Sequence, residues 1–200
     1  MDNKSAQKNG SKALLVVSFG TTSPESRRLN IDAVEQAIAA AAGPGWSIRR
    51  CFTSQMIINI IAKKEGVHID NIREALERAA SEGITELAVQ PTHLMKGLEY
   101  DKLCGVLAEY EDRFEKVSVG DPLLSSEDDL DRAAEALIGT SAGREDGHTA
   151  FVFMGHGTSH TAKISYSQMQ TQMEKLGYKN VFIGTVEGEP EDTACEAVIE

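Results

Sequence analysis

The sequence predicts an α/β protein of two similar lobes, each a parallel sheet flanked by helices, with the second lobe incomplete at its carboxyl end. Three observations predict it. Short β-rich runs over 13–18, 48–53, 86–91, 116–119, 150–154 and 180–186 alternate with helical patterns, as parallel sheets covered on both faces require. A segment near the amino end, Ala13-Leu-Leu-Val-Val-Ser-Phe-Gly-Thr-Thr22, is laid out like Ala150-Phe-Val-Phe-Met-Gly-His-Gly-Thr-Ser159. Between the copies, Gly139-Thr-Ser-Ala-Gly-Arg-Glu-Asp-Gly147 is polar, glycine-rich and unpatterned, and the strand–helix cycle restarts after it.

Each element follows in order. Residues 1–12 are polar and read as a disordered tail. The helix after the first strand opens at Ser23-Pro24, a cap residue followed by proline at the first helical position. Its expected buried stripe is Val34, Ile38 and Ala41, and Gly43-Pro-Gly45 stops it. A second, mostly apolar helix covers about 55–65. Asp70 is the expected cap of a third, with Ile69, Ile72, Leu76 and Ala79 on one face. Leu103, Leu107, Tyr110 and Phe114 mark a fourth helix, and Leu130, Ala134 and Leu137 a fifth. The restarted cycle has a helix over about 162–176, carrying Met169, Met173 and Leu176. The expected domains are a first lobe over 13–138, a linker over 139–148 and a second lobe over 149–200. That second lobe has no counterpart of the strand at 86 and stops inside a helix opened by Pro190. The expectation is a chain shorter than the protein whose fold it encodes.

Composition narrows the function classes. The net charge is −11, from 31 acidic against 20 basic residues, which disfavours nucleic acid. No apolar run is long enough to span a bilayer, and the amino terminus lacks an apolar export segment. Cys51, Cys104 and Cys195 are odd in number and far apart, which fits reduced thiols in a cytoplasm. No phosphate-binding glycine loop follows any strand, so no nucleotide cofactor is signalled. Gly139-Thr-Ser141-Ala-Gly143 matches a nucleophile elbow, but a helix rather than a strand precedes it.

The chemistry concentrates at strand ends, where open α/β sheets bind ligands. His156 lies between two glycines at the end of its strand, and the matched position in the first copy is Phe19. One copy carries a ring that can pack, the other a ring that can ligate a metal or move a proton. Glu187 ends the next strand, and an imidazole with a carboxylate can hold a divalent ion or exchange protons. Glu187 could equally cap the helix expected at Pro190. His93 ends the third strand of the first lobe, and His160 offers a spare ligand or a solvated first-turn residue. Ser18, Phe19, Gly20, Thr21, His93 and Gly157 are the candidate substrate contacts.

Ser18-Phe-Gly-Thr-Thr22, Pro91-Thr-His-Leu-Met-Lys-Gly-Leu-Glu-Tyr100, Gly155-His-Gly-Thr158 and Val186-Glu-Gly188, in that order, resemble the anaerobic cobalt chelatases of cobalamin synthesis. These are class II tetrapyrrole chelatases. The resemblance implies two α/β lobes with a cleft between them, and ATP-independent insertion of Co(II) into sirohydrochlorin. It also implies metal ligation by His156 and Glu187, with His156 as proton acceptor, and by a second histidine further along that nothing after Glu187 supplies. Arg27, Arg28, Lys96 and Lys163 follow strand-end motifs and are candidates to meet the substrate's carboxylates. The alternatives are a sirohydrochlorin ferrochelatase and a non-catalytic tetrapyrrole or metal binder, with haem on His93 as one version. A homo-oligomer stays open.

Overall fold

The computed structural model describes residues 11–140 and 149–187. These form two compact units, the first running to His93 and taking in Glu99–Asp121, the second comprising Leu94–Leu98 and the chain from Pro122 onward.

The first unit is built on β1 (Ser11–Ser18), whose six buried residues from Ala13 to Ser18 mark a central strand. A short α1 (Pro24–Ser26) follows, capped by Ser23, then a π-helical turn over Arg27–Ile31 and α2 (Asp32–Ala42). Next come β2 (Trp46–Phe52), α3 (Gln55–Glu65), α4 (Ile72–Ser81), β3 (Ile84–Pro91), α5 (Leu98–Ala108) and β4 (Lys116–Val119). All four strands are parallel, in the order β2-β1-β3-β4. One face of the sheet buries Ala13, Leu15, Val17, Leu87 and Val89 against Leu76 and Ala79 of α4 and Leu103 and Leu107 of α5.

Three expectations change here. The tail ends earlier, because Ser11 and Lys12 already belong to β1: Ser11 Oγ donates to the Gly83 carbonyl (2.7 Å) and Lys12 pairs with Glu86. The cap of α4 is Asn71, whose side chain accepts the Glu74 N–H while Glu74 reaches back to the Asn71 N–H, a capping box. Asp70 instead accepts two hydrogen bonds from Arg78. The stripe on α2 is not buried, with Val34 44% exposed and Ala41 also exposed. This helix packs on the edge strand β2, and ion pairs from Arg50 to Asp32 and Glu35 fasten it there.

The second unit contains α6 (Glu127–Gly139), β5 (Phe151–Gly157), α7 (Ile164–Lys175) and β6 (Val181–Glu187). The two strands are parallel. Phe151 and Phe153 of β5 and Val181 and Ile183 of β6 pack with Ala134, Ile138, Met169 and Met173 of the two helices. Helix α6 therefore belongs to the second unit, although the sequence reading ends the first lobe after it. Polar, glycine-rich chain marks exposure, whereas a boundary is set by which core a helix buries into. Residues 1–10, 141–148 and 188–200 lie outside the described residues. With them go the remainder of the tail, most of the expected linker and Gly-x-Ser-x-Gly motif, Cys195 and the helix expected at Pro190. No helix among the described residues is long and apolar enough to cross a membrane.

Candidate functional site

In the first unit the order β2-β1-β3-β4 reverses direction between β1 and β3, the switch point where open α/β sheets place ligands. Ser18 and Phe19 leave β1 there, and Thr92 and His93 leave β3. Ser18 is 3% exposed, and its hydroxyl shares a hydrogen bond with Thr92 Oγ1 (2.9 Å), so it ties the two strand ends together. Ser18→Ala is expected to lower stability by about 1 kcal/mol and leave the KM for substrate unchanged, measured by urea unfolding and initial rates. Phe19, in contrast, is 50% exposed. Gly20 has φ +99°, and a Cβ there would come within 2.6 Å of the Phe52 ring. Thr21 Oγ1 accepts the Ser23 N–H (3.2 Å).

His93 is half-buried, and both its ring nitrogens are closed to solvent with no hydrogen-bond partner among the described residues. Burial pulls its pKa below the usual imidazole value, while the nearby Glu99 carboxylate acts in the opposite direction. One oxygen of Glu99 is likewise buried and has no hydrogen-bond partner among the described residues. Glu99 is absent from the sequence-level candidates. Its signal was the motif itself, where it follows His93 by six positions, at the start of α5. The unfolded chain holds the extra proton on His93 more readily than the folded one. Stability is then full above about pH 6.5 and falls as the pH drops through that region. Urea unfolding at pH 7 and pH 5 is expected to show a larger acid loss in the parent than in His93→Asn.

In the second unit both candidate ligands sit at the carboxyl ends of their strands. His156 is exposed, on the same face as Val152 and Met154, and Glu187 is exposed at the end of β6. Strand register pairs Gly157 with Glu187 and Gly155 with Thr185, so His156 is level with Val186. Glu187 falls one row further on, at the strand end, in the row that alternation assigns to the opposite face. The flanking glycines answer to packing. A Cβ on Gly155 would strike the ring of Tyr166, and one on Gly157, whose φ is +86°, would overlap the Glu187 carbonyl oxygen. Tyr166 also accepts the Gly157 N–H on its hydroxyl (3.1 Å). Hydrophobic patterning did not single out this tyrosine: it packs on the core of the second unit like other apolar residues of α7, and only the fold brings its hydroxyl to the Gly157 N–H.

The remaining candidates separate clearly. His160 caps a short 3-10 turn over Thr161–Lys163, its Nδ1 accepting the Ala162 N–H (3.1 Å). Arg27 is paired with Glu65. Arg28 lies in the π-helical turn and Lys163 is exposed in the 3-10 turn. Lys96 is exposed in the loop before α5. Among the described residues one further trio could gather round an ion, His68, Asp70 and Glu74. Its carboxylates are already engaged, Asp70 by Arg78 and Glu74 by the capping box. Of the cysteines, Cys51 is buried with its thiol pKa pushed up by desolvation, and Cys104 is partly buried.

A family model described as cobalt chelatase (CbiK) matches residues 12–200. A sirohydrochlorin cobaltochelatase from Salmonella typhimurium is 36% identical over 180 residues, covering 90% of this chain and 67% of that protein. The sirohydrochlorin cobaltochelatase CbiKC of Nitratidesulfovibrio vulgaris is 32% identical over 183 residues, covering 88% of this chain and 62% of that protein. The chain spans about two thirds of the length of these relatives.

Proposed function

The chain belongs to the cobalt chelatase (CbiK) family, and from that premise we propose that the protein inserts Co(II) into sirohydrochlorin without ATP, in the cytoplasm. The observation that carries the reading is the exposed imidazole of His156 at the carboxyl end of β5, beside the strand that ends in Glu187. The reaction exchanges two pyrrole N–H protons for one divalent ion, so the site must deliver a cation and collect protons. A neutral imidazole has one free lone pair, which can hold the ion or take a proton, but not both together. Glu187, on the adjacent strand end, supplies a second oxygen donor for the ion and a negative charge that favours its approach. His156 releases the ion to the macrocycle and is then free to accept one pyrrole proton, while the second passes to solvent water at the exposed strand end.

Phe19 is the apolar twin of His156 at the end of β1, suited to contact with a planar ring. Gly20, Thr21 and Gly157 are backbone contacts in this reading, and Arg28, Lys96 and Lys163 meet substrate carboxylates. His93, half-buried at the switch point of the first unit, and the nearby Glu99 carboxylate are a second set of groups able to exchange protons in this reading. By donor type His93 would also serve to hold a haem iron, and a Soret band that disappears in His93→Ala tests that.

The test of the main reading is anaerobic incubation with sirohydrochlorin and Co(II), following loss of the free macrocycle's absorbance. Turnover in the absence of nucleotide is expected. Parallel runs with Fe(II) rank the metals. Sirohydrochlorin that binds but stays metal-free with both ions would identify a carrier instead.

A further inference from the structure

We infer that Tyr166 is a positioning residue for the His156 imidazole, an inference that rests on the metal-inserting reading of that site. An exposed side chain has few neighbours to fix its rotamer, so its direction depends on how firmly its own backbone is held. Tyr166 touches the residue on either side of His156. Its ring lies against the bare Cα of Gly155, and its hydroxyl oxygen accepts the Gly157 N–H at 3.1 Å. From the adjacent strand, the Glu187 carbonyl closes on Gly157. One tyrosine of α7 and the end of β6 therefore hold the two peptide planes that flank the imidazole.

The internal repeat sharpens the point. The first unit has the same turn, with Gly20 at φ +99° answering Gly157 at +86°. The following helical segments also start alike, since Ser23 and His160 are both side-chain caps. At the same spacing, the position of Tyr166 is occupied in the first unit by Leu29, which is 53% exposed and has no oxygen to offer. The hydroxyl occurs in the unit where the strand-end ring is an imidazole, and its counterpart is apolar where that ring is Phe19. A hydroxyl needed only to support the fold would serve both turns equally.

Tyr166→Phe keeps the ring under Gly155 and deletes the acceptor. Cobalt insertion is expected to lose roughly tenfold in kcat, as a modest misplacement of a reacting group does, with the KM for sirohydrochlorin unchanged. In ¹³C-labelled protein without metal or substrate, the ring C–H signals of His156 should broaden or split. Amide exchange at Gly157 should speed up at least tenfold relative to Met173 in the core. Unchanged His156 ring signals in Tyr166→Phe overturn the inference, as does wild-type kcat with altered signals. Should the parent fail to insert cobalt, the functional reading falls, and the ring signals alone decide whether Tyr166 sets the imidazole. If the variant does not fold, Gly157 amide exchange in the parent decides: marked protection is expected, and exchange as fast as a fully exposed amide overturns the inference.

Discussion

Replacing His156 with alanine is expected to reduce cobalt insertion by roughly 10²–10⁴-fold, the range for removing a proton-transferring side chain, while leaving the fold intact. The second half of that statement comes from the structure. The imidazole is exposed on the outer face of β5, so its removal leaves no cavity. Surface changes of this kind stay within about 0.5 kcal/mol, which is a shift of no more than about 2 °C in melting temperature at this chain length. Rates are read from sirohydrochlorin absorbance and stability from thermal unfolding of the same preparation. A variant that inserts cobalt at the parent rate removes His156 from the mechanism. One that loses rate and melts early points to a structural role for the ring.

Gly157→Ala is expected to have the opposite profile, a severe loss of stability ahead of any chemistry. Two costs coincide there. The backbone has φ +86°, which costs an L side chain about 1–2 kcal/mol. The new Cβ would also overlap the carbonyl oxygen of Glu187, and neither strand end can yield without breaking the pairing of Gly157 with Glu187. Together these should exceed about 3 kcal/mol, or roughly 10 °C in melting temperature. Gly177→Ala is the control, with φ +90° and nothing within 4 Å of the added Cβ. It carries the conformational cost alone, so its melting temperature should fall by only about 2–4 °C per kcal/mol of that cost. Equal losses for the two variants would mean that strand-end crowding at Gly157 contributes nothing.

The two variants separate what a Gly-His-Gly run reveals in sequence from what it conceals. The histidine is legible because it interrupts an apolar strand pattern at its carboxyl end, and because the earlier copy has Phe19 in its place. The glycines suggest open space for a ligand, yet the structure fills both positions, with Tyr166 beside Gly155 and the Glu187 carbonyl beside Gly157. Ser18 is legible as a polar residue at a strand end, but that its hydroxyl shares a hydrogen bond with Thr92, far along the chain, is visible only in the fold. Glu99 is not legible as part of this region, because its position in sequence does not say that one of its carboxylate oxygens is closed to solvent near His93.

Alternating strands and helices, the internal repeat and the imidazole at a strand end were all fixed by the order of residues, because hydrophobic periodicity and turn chemistry act over a few positions. The β2-β1-β3-β4 order, the membership of α6 in the second unit, the exposure of Val34 and the grip of Tyr166 on Gly157 were decided only by folding. Each of these depends on which distant surface a segment meets, and burial, hydrogen-bond partners and backbone crowding are properties of that meeting rather than of the segment.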